Sequence, residues 1–360
     1  MIRVPDLEQK LGALMSLAAA DREGLPPRLR HAEDAGALRP LNIRTLQTGP
    51  GVRTSLLRIL MTNACTFNCH YCPMTIDGGA TWRTGVVPGA DTLEFRDVEG
   101  IDARVAYLLS AGPGDQSRIY KTTDGGAAWT RLFTNQEPKA FYDCFAFWGP
   151  ERGLTMSDAV NGRFPVIRTV DGARWQDIGN RLPAANAGEG AFAASGTCVA
   201  VHGDKRAWIA TGAGTSARVL ATTDGGDTWQ AHAIPIIQGT ATSGAFSVDF
   251  RDANHGILGG GDVNAPTKPS NNIARSSDGG RTWTLATRTS FPGAVYGLTY
   301  VRGLAGTVLA TGPSGAAWSP DEGDHWLTLP GVENYWAVAF ASPQAGWLVG
   351  TEGRILKLSF

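Results

Sequence analysis

The heptapeptide TDGGAAW at residues 123–129 decides the fold, because close copies of it recur along most of the chain. Five further copies are recognisable, of which two are imperfect: IDGGATW (76–82), VDGARW (170–175), TDGGDTW (223–229), SDGGRTW (277–283) and PDEGDHW (320–326). From aspartate to aspartate they are separated by 47, 47, 53, 54 and 43 residues. A period in this range is typical of a four-stranded propeller blade.

The aspartate of the repeat is predicted to be structural and not catalytic. Aspartate accepts hydrogen bonds from backbone amides two or three residues further on, and glycine adopts positive φ without a Cβ clash. The tryptophan then opens the next strand, where we expect its large ring to be buried beside the turn. This structural role is assigned to all six aspartates: Asp77, Asp124, Asp171, Asp224, Asp278 and Asp321.

Four strands, A to D, are predicted for each repeat. The repeated aspartate–glycine heptapeptide, which we call the Asp box, joins strand C to strand D. For the repeat that contains Asp278, the β-rich runs are residues 244–251, 255–261, 272–276 and 282–286. Short runs at this spacing, separated by glycine-rich turns, favour an all-β propeller. Five complete sets of strands are predicted, one for each box from Asp124 to Asp321.

The two ends of the repeat region are predicted to share a sixth blade. Three strands follow the last box, at residues 335–341, 346–351 and 354–360, and a lone D strand follows the first box at residues 81–87. We expect the lone strand to pair antiparallel with residues 354–360 and to close a six-bladed ring with few exposed edges. A seven-bladed ring is the alternative.

Composition changes near residue 74, which predicts two domains at residues 1–74 and 75–360. All 11 tryptophans and 41 of the 46 glycines follow this point. The net charge of −1 excludes nucleic-acid binding by bulk charge, and no run reaches the ~18 apolar residues of a membrane span. Asp6 and Glu8 stand where a signal peptide has basic residues, so the expected location is cytoplasmic.

The first 74 residues are predicted to be a short α/β fragment that ends in a cysteine loop. Residues 5–20 have a helical apolar stripe, and residues 55–62 (SLLRILMT) have the pattern of a buried strand. The loop CTFNCHYC follows at residues 65–72. Its Cys-x3-Cys-x2-Cys spacing allows Cys65, Cys69 and Cys72 to hold three irons of a [4Fe-4S] cluster.

This cysteine loop resembles that of the radical S-adenosylmethionine enzymes. The resemblance implies that S-adenosylmethionine binds the fourth iron and that Tyr71 lies against its adenine. It stops at residue 74, since an Asp box begins within four residues of Cys72 and no βα barrel follows. We therefore expect a join of two incomplete genes near residues 73–76, and a loop that binds a cluster without cleaving S-adenosylmethionine.

Residues 75–360 resemble the Asp-box, or BNR-repeat, propellers, and among them the relatives of photosystem II stability/assembly factors. The more specific stretches are SRIYKTTDGGAAW (117–129), FYDCFAFW (141–148), GAFAASGTC (190–198) and GWLVGTEGRILK (346–357). The resemblance implies a non-enzymatic scaffold that offers rim loops or its channel to a protein partner. Because one fold hosts many activities, it predicts the fold far better than the function.

Two enzymatic alternatives stay open beside the scaffold. The first is a radical S-adenosylmethionine enzyme that uses the cysteine loop. The second is a sialidase-like glycoside hydrolase, for which Tyr142 and Asp143 are candidates together with an arginine cluster drawn from Arg96, Arg152, Arg163 and Arg251. The six histidines show no metal-ligand spacing. Cys144 and Cys198 are predicted to be buried thiols in the innermost strands of neighbouring blades.

Overall fold

The computed structural model describes residues 87–90, 92–351 and 354–360. Within these residues the chain forms six antiparallel sheets that are arranged as a propeller ring. The prediction of an all-β propeller with six blades is therefore confirmed. The predicted helix at residues 5–20, the strand at 55–62 and the division at residue 74 lie outside the described residues.

Each blade follows the chain in order, from its innermost strand to its outermost. Blade 1 contains β1 (Phe95–Gly100), β2 (Ala106–Ser110), β3 (Arg118–Thr122) and β4 (Thr130–Thr134). Blade 2 contains β5 (Tyr142–Gly149), β6 (Arg152–Ser157), β7 (Val166–Thr169) and β8 (Gln176–Asp177). Blade 3 contains β9 (Val199–His202), β10 (Arg206–Ala210), β11 (Arg218–Thr222) and β12 (Gln230–Ala233).

The remaining three blades repeat this order. Blade 4 contains β13 (Ser243–Phe250), β14 (Gly256–Asp262), β15 (Ile273–Ser276) and β16 (Thr284–Leu285). Blade 5 contains β17 (Gly297–Tyr300), β18 (Val308–Gly312), β19 (Gly315–Ser319) and β20 (Leu327–Thr328). Blade 6 contains β21 (Tyr335–Ser342), β22 (Ala345–Gly350) and β23 (Ile355–Leu358). Two short 3-10 helices, Gly114–Gln116 and Gly179–Arg181, complete the described elements.

The sixth sheet has three strands within the described residues, in the order β21-β22-β23. This matches the three strands that the sequence analysis predicts after the last box. The predicted fourth strand covers residues 81–87, of which 81–86 lie outside the described part of the chain. Its pairing with residues 354–360 therefore stays a prediction.

The Asp box forms a turn in which two side chains share the backbone amides. In blade 3, Asp224 Oδ1 accepts hydrogen bonds from the amides of Asp227 and Thr228, both at 2.9 Å. The Gly226 amide instead donates to Thr222 Oγ1 at 3.1 Å, and the Thr222 hydroxyl donates to Asp224 Oδ1 at 2.8 Å. The aspartate thus caps the residues after the two glycines, while a hydroxyl two residues before it fixes the glycine itself.

The box tryptophan is buried beside the turn in blades 3 and 4. Trp229 and Trp283 are 7% and 8% exposed, and their indole N–H groups donate to Gly226 O and Gly280 O. Trp129 is half-buried rather than buried. The expectation of a buried ring therefore holds for two of the three regular boxes in the described residues, and blade 1 covers its ring less completely.

Replacing Asp224 with alanine is expected to lower the free energy of unfolding by about 1 kcal/mol, because two turn amides lose their acceptor but are exposed and can bond to water instead. Asp224→Asn is the matched control, since an amide oxygen keeps one acceptor in the same place. Urea denaturation followed by tryptophan fluorescence measures both variants. Equal stability of the alanine variant and the wild type would contradict the structural role.

The boxes also join neighbouring blades. The Gly172 carbonyl of blade 2 accepts from the Tyr107 hydroxyl (3.1 Å) and the Lys121 ammonium (3.2 Å) of blade 1. In the same way, Gly225 O accepts from Arg168 at 2.6 Å, and Gly279 O accepts from the Trp208 indole at 2.8 Å; each donor lies in the preceding blade. The repeat therefore positions blades against each other as well as closing hairpins.

The apolar core lies between blades. One cluster of buried side chains joins Leu154 and Val166 of blade 2 to Val199, Ile209 and Leu220 of blade 3. Side chains alternate along each strand, so both faces of a blade pack against neighbours, and a separate cluster of this kind lies between each pair of consecutive blades from blade 1 to blade 6. Among the residues that the structure describes, no helix is long and apolar enough to span a membrane.

Cys144 and Cys198 form a disulfide, which corrects the prediction of two buried thiols. Cys144 lies in β5 and Cys198 directly precedes β9, so the bond joins the innermost strands of blades 2 and 3. These strands converge towards the axis of the ring and bring the two Cα atoms to 5.8 Å, within the range of a disulfide. Both residues are 0% exposed.

Candidate functional site

Residues 189–196 (EGAFAASG) lie across one end of the central channel, and we call them the channel plug. They belong to the connection between β8 of blade 2 and β9 of blade 3. The plug contacts three blades that are distant in sequence, through Arg96–Ala193 O (3.4 Å, blade 1), Phe192–Phe246 (ring centroids 4.4 Å, blade 4) and Ser195 Oγ–Tyr296 O (2.7 Å, blade 5). A segment that contacts blades 1, 4 and 5 crosses the axis of the ring.

Two glycines allow the plug to approach the blades closely. A Cβ at Gly196, whose φ is +75°, would lie 2.5 Å from Asp97 Oδ1 of blade 1. A Cβ at Gly190 would lie 2.0 Å from Asp158 Oδ1 of blade 2. Larger residues at these two positions would push the plug away from the channel wall.

A buried ion pair holds the beginning of the plug. Glu189 is 1% exposed and accepts two hydrogen bonds from Arg218 of β11, at 2.9 Å from Nε and 2.5 Å from Nη2. The Thr211 hydroxyl also donates to Glu189 Oε1 at 2.6 Å. A two-point contact between guanidinium and carboxylate is strong and fixes geometry, so this end of the plug is anchored to blade 3.

Two carboxyl groups of blade 2 lie beneath the plug. Asp143 is 2% exposed, and its Oδ2 has no hydrogen-bond partner among the described residues. Asp158 Oδ1 accepts a hydrogen bond from the plug amide of Ala191 at 3.0 Å. Burial raises the pKa of Asp158 to about 6. Burial, reinforced by the charge of Asp158, raises the pKa of Asp143 well above its usual range, and Arg96 opposes the shift.

An aromatic cluster surrounds the outer side of the plug. Phe192, Phe246, Tyr296 and Trp336 follow one another with ring centroids 4.4, 5.6 and 5.5 Å apart. Phe246 and Tyr296 are buried, whereas Phe192 and Trp336 are half-buried. Trp336 also lines a small cavity together with Arg96 and the plug residues Ala193, Ala194 and Ser195. We call the half-buried aromatic residues, Arg96 and this cavity the channel mouth.

The Asp boxes lie at the other end of the blades from the channel mouth. Strands alternate in direction, so the turns between C and D face away from the connections that lead from D to the next blade. This places Asp124, Asp171, Asp224, Asp278 and Asp321 together on the far end. The remaining predicted site residues, Asp77, Tyr71, Cys65, Cys69 and Cys72, lie outside the described residues. Within the described ranges, no group of three or more His, Cys, Asp or Glu side chains is placed to hold a metal ion.

The described residues do not form a sialidase-type site, in which Tyr142, Asp143 and an arginine cluster would have to converge. Tyr142 is 3% exposed, and of the four candidate arginines only Arg96 lies beside Asp143. The other three form ion pairs elsewhere: Arg152 with Asp204, Arg163 with Asp177 and Arg251 with Glu322. Asp158, Phe192 and Trp336 were not predicted as site residues, although Phe192 lies within the distinctive stretch at residues 190–198.

No protein-family profile and no curated protein sequence matches this chain. Among solved structures, YCF48 from Cyanidioschyzon merolae is similar with a TM-score of 0.53 and 18% identity over 79% of this chain and 87% of that one. An ancestral GH74 enzyme has a TM-score of 0.50 and 15% identity over 71% of this chain, which spans only 34% of that enzyme. A structure of YCF48 bound to D1 peptide covers 76% of this chain and 95% of its own, with 17% identity and a TM-score of 0.40.

Proposed function

We propose that the propeller is a non-enzymatic scaffold that binds a segment of a protein partner at the channel mouth. The observation that carries the proposal is the channel plug, which fills the place where a propeller enzyme would hold its substrate. The ionisable groups beneath it are engaged with the plug or buried by it: Asp158 accepts the Ala191 amide, and Asp143 is 2% exposed.

The exposed part of the mouth has the composition of a binding surface. Phe192 and Trp336 present half-buried rings, and the side chain of Arg96 is 32% exposed at the edge of the small cavity. Tryptophan, tyrosine and arginine are the residues that most often dominate binding energy at protein interfaces. A peptide that inserts an apolar side chain beside Trp336 would bury both rings against a rigid support.

The fold comparison supports a propeller of the YCF48 type and nothing finer, since identity is 18%. The D1 peptide belongs to the YCF48 structure in which it is bound, whose TM-score of 0.40 adds no argument for this chain. We propose an assembly-factor-like role for this chain, in which the channel mouth is the surface that binds the partner.

Site-specific photo-crosslinking in cells tests the proposed partner site. A photoreactive phenylalanine derivative at Phe192 is expected to capture a discrete partner, whereas the same group at Leu285 on the outer strand of blade 4 is the matched control. The purified partner should then bind Trp336→Ala at least tenfold more weakly than wild type. Trp347→Ala, which alters a half-buried ring of blade 6, should leave the affinity unchanged. Equal capture from both positions, or unchanged affinity of Trp336→Ala, would reject the mouth as the binding site.

A glycoside hydrolase is the second candidate, favoured by the pair Asp143 and Asp158. A pair of carboxyl groups, of which the general acid has a raised pKa, is a recurring feature of such active sites. The plug opposes this assignment because its backbone lies where a sugar ring would have to reach the pair. Release of nitrophenol from a panel of nitrophenyl glycosides, abolished in Asp143→Asn, would favour the hydrolase over the scaffold.

We further propose that the cysteine loop binds a [4Fe-4S] cluster through Cys65, Cys69 and Cys72 without supporting radical chemistry. The support is the sequence spacing alone, since these residues lie outside the described part of the chain. Anaerobic reconstitution should give about four irons per chain in the wild type and fewer in Cys69→Ala. With S-adenosylmethionine and dithionite, 5′-deoxyadenosine should not exceed the Cys69→Ala level. Formation of 5′-deoxyadenosine above that level would instead support the radical S-adenosylmethionine enzyme.

The disulfide favours an oxidising compartment, whereas the N-terminal sequence predicts the cytoplasm. Disulfides form and persist in oxidising environments and are rare in the cytosol. We propose that the propeller folds where Cys144 and Cys198 are oxidised, in place of the cytoplasmic location. Alkylation of thiols at the moment of cell lysis, followed by mass spectrometry, should find both cysteines unmodified. Complete alkylation of both would support the cytoplasm.

A further inference from the structure

A second cavity lies at the Asp-box end of the propeller, between blades 4 and 5. It has a volume of about 300 Å3 and is formed by the two turns that follow β13 and β17. The polar side chains at its surface are Asp249, Arg251, Asp252, Tyr300 and Arg302. We call this cavity the seam pocket. It is remote from the channel mouth, because the turns after the innermost strands face the opposite end of the ring.

Tyr300 departs from the repeat at the seam pocket. Phe147, Phe250 and Phe340 occupy the corresponding position in blades 2, 4 and 6, where each pairs with a glycine at the first or second position of the next strand. Tyr300 pairs in the same way with Val308, the first residue of β18. The ring is 3% exposed, and its hydroxyl has no hydrogen-bond partner among the described residues. A buried hydroxyl without a partner is unfavourable, so its presence in place of phenylalanine needs an explanation.

Glu322 is a second departure from the repeat at the same place. The other described boxes have glycine after the aspartate, at Gly125, Gly172, Gly225 and Gly279, all with positive φ. Glu322 keeps this backbone conformation with φ +58°, which is unfavourable for a residue with a side chain. Its carboxylate lies 2.5 Å from Arg251 Nε of blade 4, so it holds a guanidinium at the pocket wall. Strained positions of this kind concentrate at functional sites.

The arrangement of charges excludes simple ions as the preferred occupant. Arg251 and Arg302 supply hydrogen-bond donors, whereas Asp249 and Asp252 surround the same space with acceptors. A small anion would meet the carboxylates and a small cation would meet the guanidinium groups. No metal-binding group of three or more side chains occurs in the described residues, and 300 Å3 is far larger than an ion requires. Hydroxyl groups donate and accept at one atom and therefore suit such a surface.

We propose that the seam pocket binds a small polyhydroxylated molecule of monosaccharide size, with the Tyr300 hydroxyl as its innermost hydrogen-bonding group. Arg302 and Asp252 lie at the pocket surface and contact further hydroxyl groups of the ligand. The Arg251–Glu322 pair fixes the wall between the two blades. This site is independent of the proposed partner surface at the channel mouth.

Ligand-observed NMR and calorimetry with D-glucose, D-galactose, L-arabinose and myo-inositol test the proposal on the full chain. At least one of these probes should bind the wild type saturably. Tyr300→Phe should weaken that binding at least tenfold, while its melting temperature stays equal or rises, because it restores the residue of the other blades and removes an unpaired hydroxyl. Arg302→Gln should also weaken binding. Phe192→Ala, at the channel mouth, is the matched control and should bind like the wild type.

Three results would overturn the seam pocket as a polyol site. One is the absence of binding by all four probes at millimolar concentration. Another is binding that Tyr300→Phe does not alter, which would place the ligand elsewhere. The third is tighter binding of inorganic phosphate or L-arginine than of any polyol, which would assign the pocket to an ion or a zwitterion. A large drop in the melting temperature of Tyr300→Phe would show that the hydroxyl has a structural partner and would equally reject the inference.

Discussion

Replacing both Cys144 and Cys198 with alanine is expected to lower the free energy of unfolding by about 4 kcal/mol. The disulfide closes a loop with a sequence separation of 54 residues. In the chain-entropy description, a cross-link over a loop of that length removes about 4 kcal/mol of conformational entropy from the unfolded state. Because the bond joins the innermost strands of blades 2 and 3, its loss should also loosen the end of the channel plug, where Cys198 follows Gly196 by two residues.

Guanidinium denaturation of the oxidised wild type and the double variant measures this effect. The matched control is the wild type unfolded and refolded with dithiothreitol, which should lose stability to a similar extent, whereas the reductant should not change the double variant. Thiol titration in denaturant adds an independent reading: of the five cysteines, two are joined, so three should react. Five reactive thiols, or equal denaturation midpoints of wild type and double variant, would contradict the disulfide.

The repeat made the architecture predictable from the sequence, for a physical reason. Each full-length box that the structure describes has an aspartate acceptor, two residues at positive φ and a tryptophan beside the turn, and few other sequences satisfy all three requirements. Such local constraints are visible in a window of seven residues. The strands of blade 4 were accordingly predicted to within two residues at each end, from β13 (Ser243–Phe250) to β16 (Thr284–Leu285). The number of blades followed from the number of boxes and from the strands left over at the two ends of the repeat region.

The channel mouth was not predictable in the same way, because its contacts join residues far apart in the chain. Arg96 meets Ala193 across 97 positions and Ser195 meets Tyr296 across 101. Nothing in the local sequence of Asp158 distinguishes it from a surface carboxylate until the plug covers it. The disulfide was missed for the same reason, since Cys144 and Cys198 approach only when two blades pack side by side.

Departures from the repeat are the part of the sequence that still holds functional information. Glu322 was read as degeneration of a box, and Tyr300 did not stand out among the aromatic residues of the core. In the structure both departures are connected to one cavity, because the Glu322 carboxylate binds Arg251 in the cavity wall and Tyr300, whose hydroxyl has no partner among the described residues, lines it. A repeat protein thus supplies its own reference, because each blade shows what the fold alone requires at a given position.

The second large effect is expected from Asp158→Asn, which should stabilise the protein at pH 8 and leave it nearly unchanged at pH 4. Burial raises the pKa of Asp158 to about 6 in the folded state, against an ordinary value of 3.8. A raised pKa means that the folded state favours the protonated form. The contribution of Asp158 is therefore favourable at low pH and is lost as the pH rises through about 6. Above that pH, the charged carboxylate costs on the order of 2–3 kcal/mol.

Asparagine removes this cost, since it is neutral at every pH and keeps an oxygen that accepts the Ala191 amide. Asp143 and Arg96 remain in place, and because the charge of Asp158 helps to raise the pKa of Asp143, the variant also lowers that pKa towards its usual range. Chemical denaturation at pH 4, 6 and 8 measures the change, with Asp204→Asn as the matched control, because that side chain is 86% exposed. If Asp158→Asn is less stable than the wild type at pH 8, the carboxylate is a net stabilising ligand of the plug amide. In that case the plug is held by charge, and raising the pH tightens the channel mouth instead of loosening it.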